Sequence, residues 1–68
     1  MVHTAKIKGR MRELNLTQAE CAEKLDIKCP TFNQKLNNIR SFSLTQAEIL
    51  AKILSIQDAD FGEYFFYK

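Results

Sequence analysis

With 68 residues, only three of them glycine or proline, the chain is one domain at most and buries roughly 60% of its unfolded surface. Its longest apolar-rich run, ILAKIL, is interrupted by Lys52 and Met1–Arg10 lacks the apolar segment of a leader, so neither a membrane span nor a disulfide is expected and the cytoplasm is the expected compartment. The net charge of +2 divides unevenly: residues 1–40 hold eight Lys/Arg against four Asp/Glu, for +4, and residues 41–68 hold two against four, for −2, a balance that suits a polyanion on one side.

No Val/Ile/Thr alternation is long enough for a strand, so the chain reads as all-α. Ile7, Met11 and Leu14 fall at i, i+4 and i+7, one face of a first helix, with Lys6, Lys8, Arg10 and Arg12 around the rest. Thr4 is its expected cap, and Asn15 its expected left-handed stop. The pentapeptide LTQAE then occurs twice, at Leu16–Glu20 and Leu44–Glu48. In the first copy Thr17 and Glu20 predict a capping box, each side chain satisfying a free backbone N–H of the first turn. Cys21, Ala22 and Leu25 continue an apolar face toward a stop near Asp26, and Ile27 plugs the turn.

Pro30 marks the next helix start, because its missing N–H does no harm in a first turn. Phe32 and Leu36, one turn apart, face inward, and Asn37-Asn38 ends the helix. In the second LTQAE copy, Ser43 or Thr45 caps and Gln46 or Glu48 returns the bond. Leu44, Ile49, Leu50, Ile53 and Leu54 make this the most apolar helix, hence the one expected to be most buried. Two units are too few for a solenoid, so LTQAE reads as a helix-start signal used twice. The ending DADFGEYFFYK holds five of the seven aromatic residues. A short turn or helix over 58–64 is expected, with Phe61 and Phe65 closing the core. Phe66 and Tyr67 remain as candidate self-association surface.

The two helices Gln18–Leu25 and Cys29–Asn37, joined by a tight turn, form the pattern of a helix-turn-helix over about residues 17–37. Cys21, Ala22, Leu25, Ile27 and Phe32 point to one side. That leaves Lys28, Cys29, Pro30, Asn33, Gln34 and Asn37 on the outer face of the second helix. Asn and Gln make bidentate bonds to adenine in a major groove, and Lys28, Lys35 and Arg40 flank them as phosphate contacts. An enzyme is not expected. His3 is the sole histidine and is placed in a frayed terminus; with Cys21 and Cys29 it matches no zinc spacing, and no glycine-rich phosphate loop occurs. No cofactor or metal is expected.

The stretch LTQAECAEKLDIKCPTFNQKLNNIRSFSLTQAEILAKIL resembles the Cro/repressor (XRE-type) helix-turn-helix family, small phage regulators especially, and the likeness runs from about residue 6 to 66. The resemblance implies a compact five-helix, lambda-repressor-like DNA-binding domain with a short aromatic tail. Such a domain is usually dimeric, with the third helix in the major groove of a palindromic operator. It places Cys29, Pro30, Asn33 and Gln34 at base-reading positions. Gln18 falls where the family touches phosphate or braces the reader, and Arg40 falls in the loop that grips the backbone. Four departures stand out: Asp26 and Asn38 replace glycines, Lys28 replaces a serine or threonine cap, and Ile39 replaces a lysine. The expected function is therefore a sequence-specific transcriptional regulator, a Cro-like repressor bound to double-stranded DNA as a homodimer. The rival reading, from a different class, is a modulator of the same fold that docks on a partner repressor protein.

Overall fold

A computed structural model describes residues 1–67. Five helices follow one another: α1 (Thr4–Glu13), α2 (Gln18–Lys24), α3 (Cys29–Leu36), α4 (Leu44–Ile53) and α5 (Asp58–Phe65), with no strand among the described residues. They close into a globule of 28 × 24 × 20 Å. None is long and apolar enough to cross a membrane.

Helix ends follow one local rule. The residues after the C-caps of α1 to α4, Asn15, Asp26, Asn38 and Ser55, all take positive φ, between 54° and 63°. In each case the next N–H returns five residues: Leu16 to Met11 O, Ile27 to Ala22 O, Ile39 to Gln34 O and Ile56 to Ala51 O, at 2.8–3.0 Å. These are Schellman closures, which satisfy the free carbonyls of the last turn. An apolar residue occupies the returning position every time. Leu16, Ile27 and Ile56 pack on the core, but Ile39 is 72% exposed. Asn15, Asp26 and Asn38 fulfil the expected stops; Ser55 is a fourth that sequence inspection missed.

Helix starts show a shift of register. Thr17 and Glu20 form the expected box, the Glu20 N–H donating to Thr17 Oγ1 and the Thr17 N–H to Glu20 Oε1, both at 3.1 Å. In the second LTQAE the cap is Ser43, which precedes the pentapeptide, and Gln46 returns the bond. The identical five residues thus sit two positions further into their helix, a rotation of about 200°. Ala19 is exposed while Ala47 is buried, and Leu16 packs on the core while Leu44 is 63% exposed.

Packing decides this register. It turns Ala47, Leu50, Ala51 and Leu54 inward, at i, i+3, i+4 and i+7. A two-residue slip would expose Leu50 and Leu54, at about 1.5–3 kcal/mol each, more than the ~1 kcal/mol at stake in a choice of cap. The expectation that Leu44 and Ile49 lie in the buried face is corrected accordingly: Ile49 is 36% exposed and the small Ala47 and Ala51 take the inner positions.

The core combines Ile7 and Met11 of α1, Cys21, Ala22 and Leu25, Phe32 and Leu36, the α4 set above, and Phe65 of α5, with Phe61 and Tyr64 packed against it. Phe32, Ile7, Leu36, Leu50, Leu54 and Cys21 are fully buried. Leu14, expected inside, is α1's C-cap and lies at the surface. Two further expectations are corrected at the N-terminus. His3, not Thr4, caps α1, its Nδ1 accepting the Lys6 N–H at 3.3 Å. Thr4 instead donates its hydroxyl to Leu36 O at 2.6 Å.

Nor does this end fray. The Val2 N–H donates to Asn38 Oδ1 at 2.8 Å, Asn38 Nδ2 donates to Val2 O at 3.1 Å, and the His3 N–H donates to Tyr64 O at 2.8 Å. On the other side, Arg10 Nε donates to Leu54 O at 2.7 Å, and Lys6 pairs with Glu63 of α5.

Candidate functional site

The turn between α2 and α3 is only four residues, Leu25 to Lys28, and its conformation follows from Asp26 in the left-handed region and Ile27 bonded back to Ala22. Buried Cys21, Ala22, Leu25 and Phe32 press the two helices together. Burial pushes the Cys21 thiol above its ordinary range, as fits a core residue, whereas Cys29 is a free, exposed thiol. With that inner face occupied, Cys29, Pro30, Asn33, Gln34 and Asn37 are all exposed on α3, and Lys28 is exposed at its start. Lys28 makes no side-chain cap, so nothing from its side chain covers the free N–H groups of α3's first turn.

Two of the expected site residues are joined. Asn33 Nδ2 donates to Gln18 Oε1 at 3.0 Å, which ties the first turn of α2 to the outer face of α3. Asn33 keeps its side-chain oxygen and one N–H for a ligand, and Gln18 keeps its amino group. Asn37 bends back on its own helix, Nδ2 donating to Asn33 O at 2.9 Å. Among the described residues Lys28 and Arg40 form no ion pair, and Arg40 is exposed beside Ile39 in the α3–α4 loop.

Lys35 is placed otherwise. It is half-buried, and its ammonium donates to Gln46 Oε1 at 2.7 Å and to Ser41 O at 3.2 Å. The α1 cations divide in the same way. Lys6 and Arg10 serve packing against α5 and α4, while Lys8 and Arg12 are exposed. The Lys6–Glu63 hydrogen bond raises the lysine pKa and lowers that of the carboxylate.

The aromatic tail splits. Phe66, 65% exposed, borders a groove that Met1, Phe42 and Leu44 also line, whereas Tyr67 turns to the His3 ring, centroids 4.2 Å apart. Leu44 and Met1 therefore join Phe66 in one apolar patch that sequence inspection did not find. The signal was present in Ser43, whose capping puts Leu44 at the first, outward-facing helical position. No group of His, Cys, Asp and Glu is placed to hold a metal among the described residues. Compared with protein-family models, curated proteins and solved structures, the chain matches none.

Proposed function

We propose that this protein is a sequence-specific DNA-binding regulator of the Cro-like type, using α2 and α3 as a helix-turn-helix with α3 as the reader in the major groove. The observation that carries the reading is the Gln18–Asn33 bond. It holds an otherwise solvent-facing amide at a fixed attitude on an uncovered helix, where an amide pair suits the N6/N7 edge of adenine. Gln34 stands beside it on the same exposed face, and Cys29 and Pro30 offer apolar contact to a thymine methyl. Lys28 at one end of α3 and Arg40 beyond the other supply cations to phosphates on either side, with Gln18 and Asn37 as neutral backbone partners. Such a surface is poor in strong donors, so DNA shape contributes to its specificity.

Two copies on an inverted repeat would meet through the apolar patch at Met1, Leu44 and Phe66. Selection from random duplex DNA with the purified protein at moderate salt tests the reading. The expected outcome is an enriched inverted repeat with half-site centres about 10 base pairs apart, and adenines opposite Asn33 and Gln34. A well-folded protein that enriches nothing would transfer α3 to the second reading, a surface for a partner repressor. The bare Ile39 side chain, 72% exposed next to Arg40, favours that reading.

A further inference from the structure

We infer that Lys35 is a positioning residue for the loop that carries Arg40, working through Gln46, rather than a ligand of phosphate. The inference rests on the DNA-binding reading above. Lys35 lies in the last turn of α3, and its ammonium reaches across to the first turn of α4. There Gln46 Oε1 accepts two bonds, from Lys35 at 2.7 Å and from the Ser43 N–H at 3.1 Å, the second closing the capping box of α4. An amide oxygen has two lone pairs, and both are engaged. One atom therefore joins the end of α3 to the start of α4.

The same ammonium also holds Ser41 O, one residue beyond Arg40. On the other side the Ile39 and Arg40 N–H groups donate to Gln34 O, at 2.9 and 3.3 Å. Arg40 is thus bracketed by bonds to consecutive residues of α3, Gln34 before it and Lys35 after it. A cation near a helix N-terminus gains nothing from the helix dipole, which is positive there. The two oxygens account for its placement. Neutralising a phosphate would require Lys35 to leave both of them.

The test uses wild-type protein, Lys35→Met, Arg40→Ala and the double variant. The probe is a labelled random-sequence duplex of about 20 base pairs, long enough for two half-sites, and affinity is measured against salt. Each phosphate neutralised contributes about 0.9 to the log–log slope. Lys35→Met keeps the apolar stem and is expected to weaken binding about 3- to 10-fold with the wild-type slope, while Arg40→Ala flattens the slope by about 0.9. Because Lys35 acts through Arg40, the double variant should bind no more than about twofold worse than Arg40→Ala. A slope flattened by Lys35→Met, losses that simply add, or no loss at all would overturn the inference.

Amide hydrogen exchange of the free protein supplies an arm that needs no DNA. Ser43 and Arg40 amides should exchange at least about tenfold faster in Lys35→Met, as local opening becomes easier, and unchanged protection also overturns the inference. Wild-type protein that binds no duplex at low salt would sink the DNA reading instead, with the exchange arm still deciding whether Lys35 holds the loop.

Discussion

At the scale of single residues, chemistry of the same type is put to different uses by small differences in placement. Asn33, midway along α3, and Asn38, just past its end, are both exposed amides, yet Asn33 binds a neighbouring helix across an open face while Asn38 grips the N-terminal segment. Under the DNA-binding function proposed above, Gln34 and Arg40 would differ in what they offer DNA. Gln34 presents a two-headed amide, which discriminates bases, and Arg40 a guanidinium, which attracts any phosphate. Gln34→Ala is therefore expected to erase most of the preference for a selected operator over random duplex. Arg40→Ala should weaken both by a similar factor. Titrations of each variant against the two duplexes check this, and equal losses on both duplexes for both variants would refute the assignment.

At the scale of elements, the repeated LTQAE shows how a helix start is chosen. The Thr17 box lies inside the pentapeptide; the Ser43 box begins one residue before it. Thr17→Ala and Ser43→Ala should each cost about 1 kcal/mol, measured as a shift in urea midpoint, because each leaves a backbone N–H without its side-chain acceptor. Thr45→Ala, at the residue matching Thr17 in the repeat, should change stability by less than ~0.5 kcal/mol. A large loss at Thr45 would show that α4 starts where the repeat does. The stop signals are more uniform. Three of the four left-handed stops are Asn or Asp, residue types that tolerate that conformation, which is why the helix ends could be anticipated.

Across the whole molecule, charge and apolar surface are sorted by what the fold already consumes. Glu20 and Glu63 have pKa values held below the ordinary carboxylate range, Glu20 chiefly by the Thr17 N–H and Glu63 chiefly by its hydrogen bond with Lys6. A depressed folded-state pKa contributes stability that is present above the unfolded value and lost as pH falls through the folded one. Acid should thus lower the urea midpoint below about pH 4, and Glu20→Gln or Glu63→Gln should each flatten that acid limb. Lys6 runs the other way. Its raised pKa stabilises the fold below the ordinary lysine value and ceases to do so as pH rises through the folded value. Met1, Leu44 and Phe66 form an exposed apolar patch beside the groove. Leu44→Lys and Phe66→Lys are expected to weaken self-association in sedimentation while leaving helicity unchanged, since neither side chain belongs to the buried core. Unchanged association in both would remove this face as the contact between copies.

The sequence by itself determined the first four helices and their order, three of their four left-handed stops, the Thr17 box and most of the core. It also placed Asn33, Gln34 and Lys28 on an exposed face. Each of these depends on hydrogen bonds or periodicity within about four residues, and such signals stand in the chain whatever surrounds it. Tertiary structure alone decided the rest: the register of the second LTQAE, the ordered N-terminus, the outward Leu44 and the inward ammonium of Lys35. The bonds responsible join Val2 to Asn38 and Lys35 to Gln46, 36 and 11 residues apart. Where Ser43 and Thr45 offered equivalent local caps, the choice fell to the burial of Leu50 and Leu54, because packing free energy at those two side chains exceeds the difference between one cap and another.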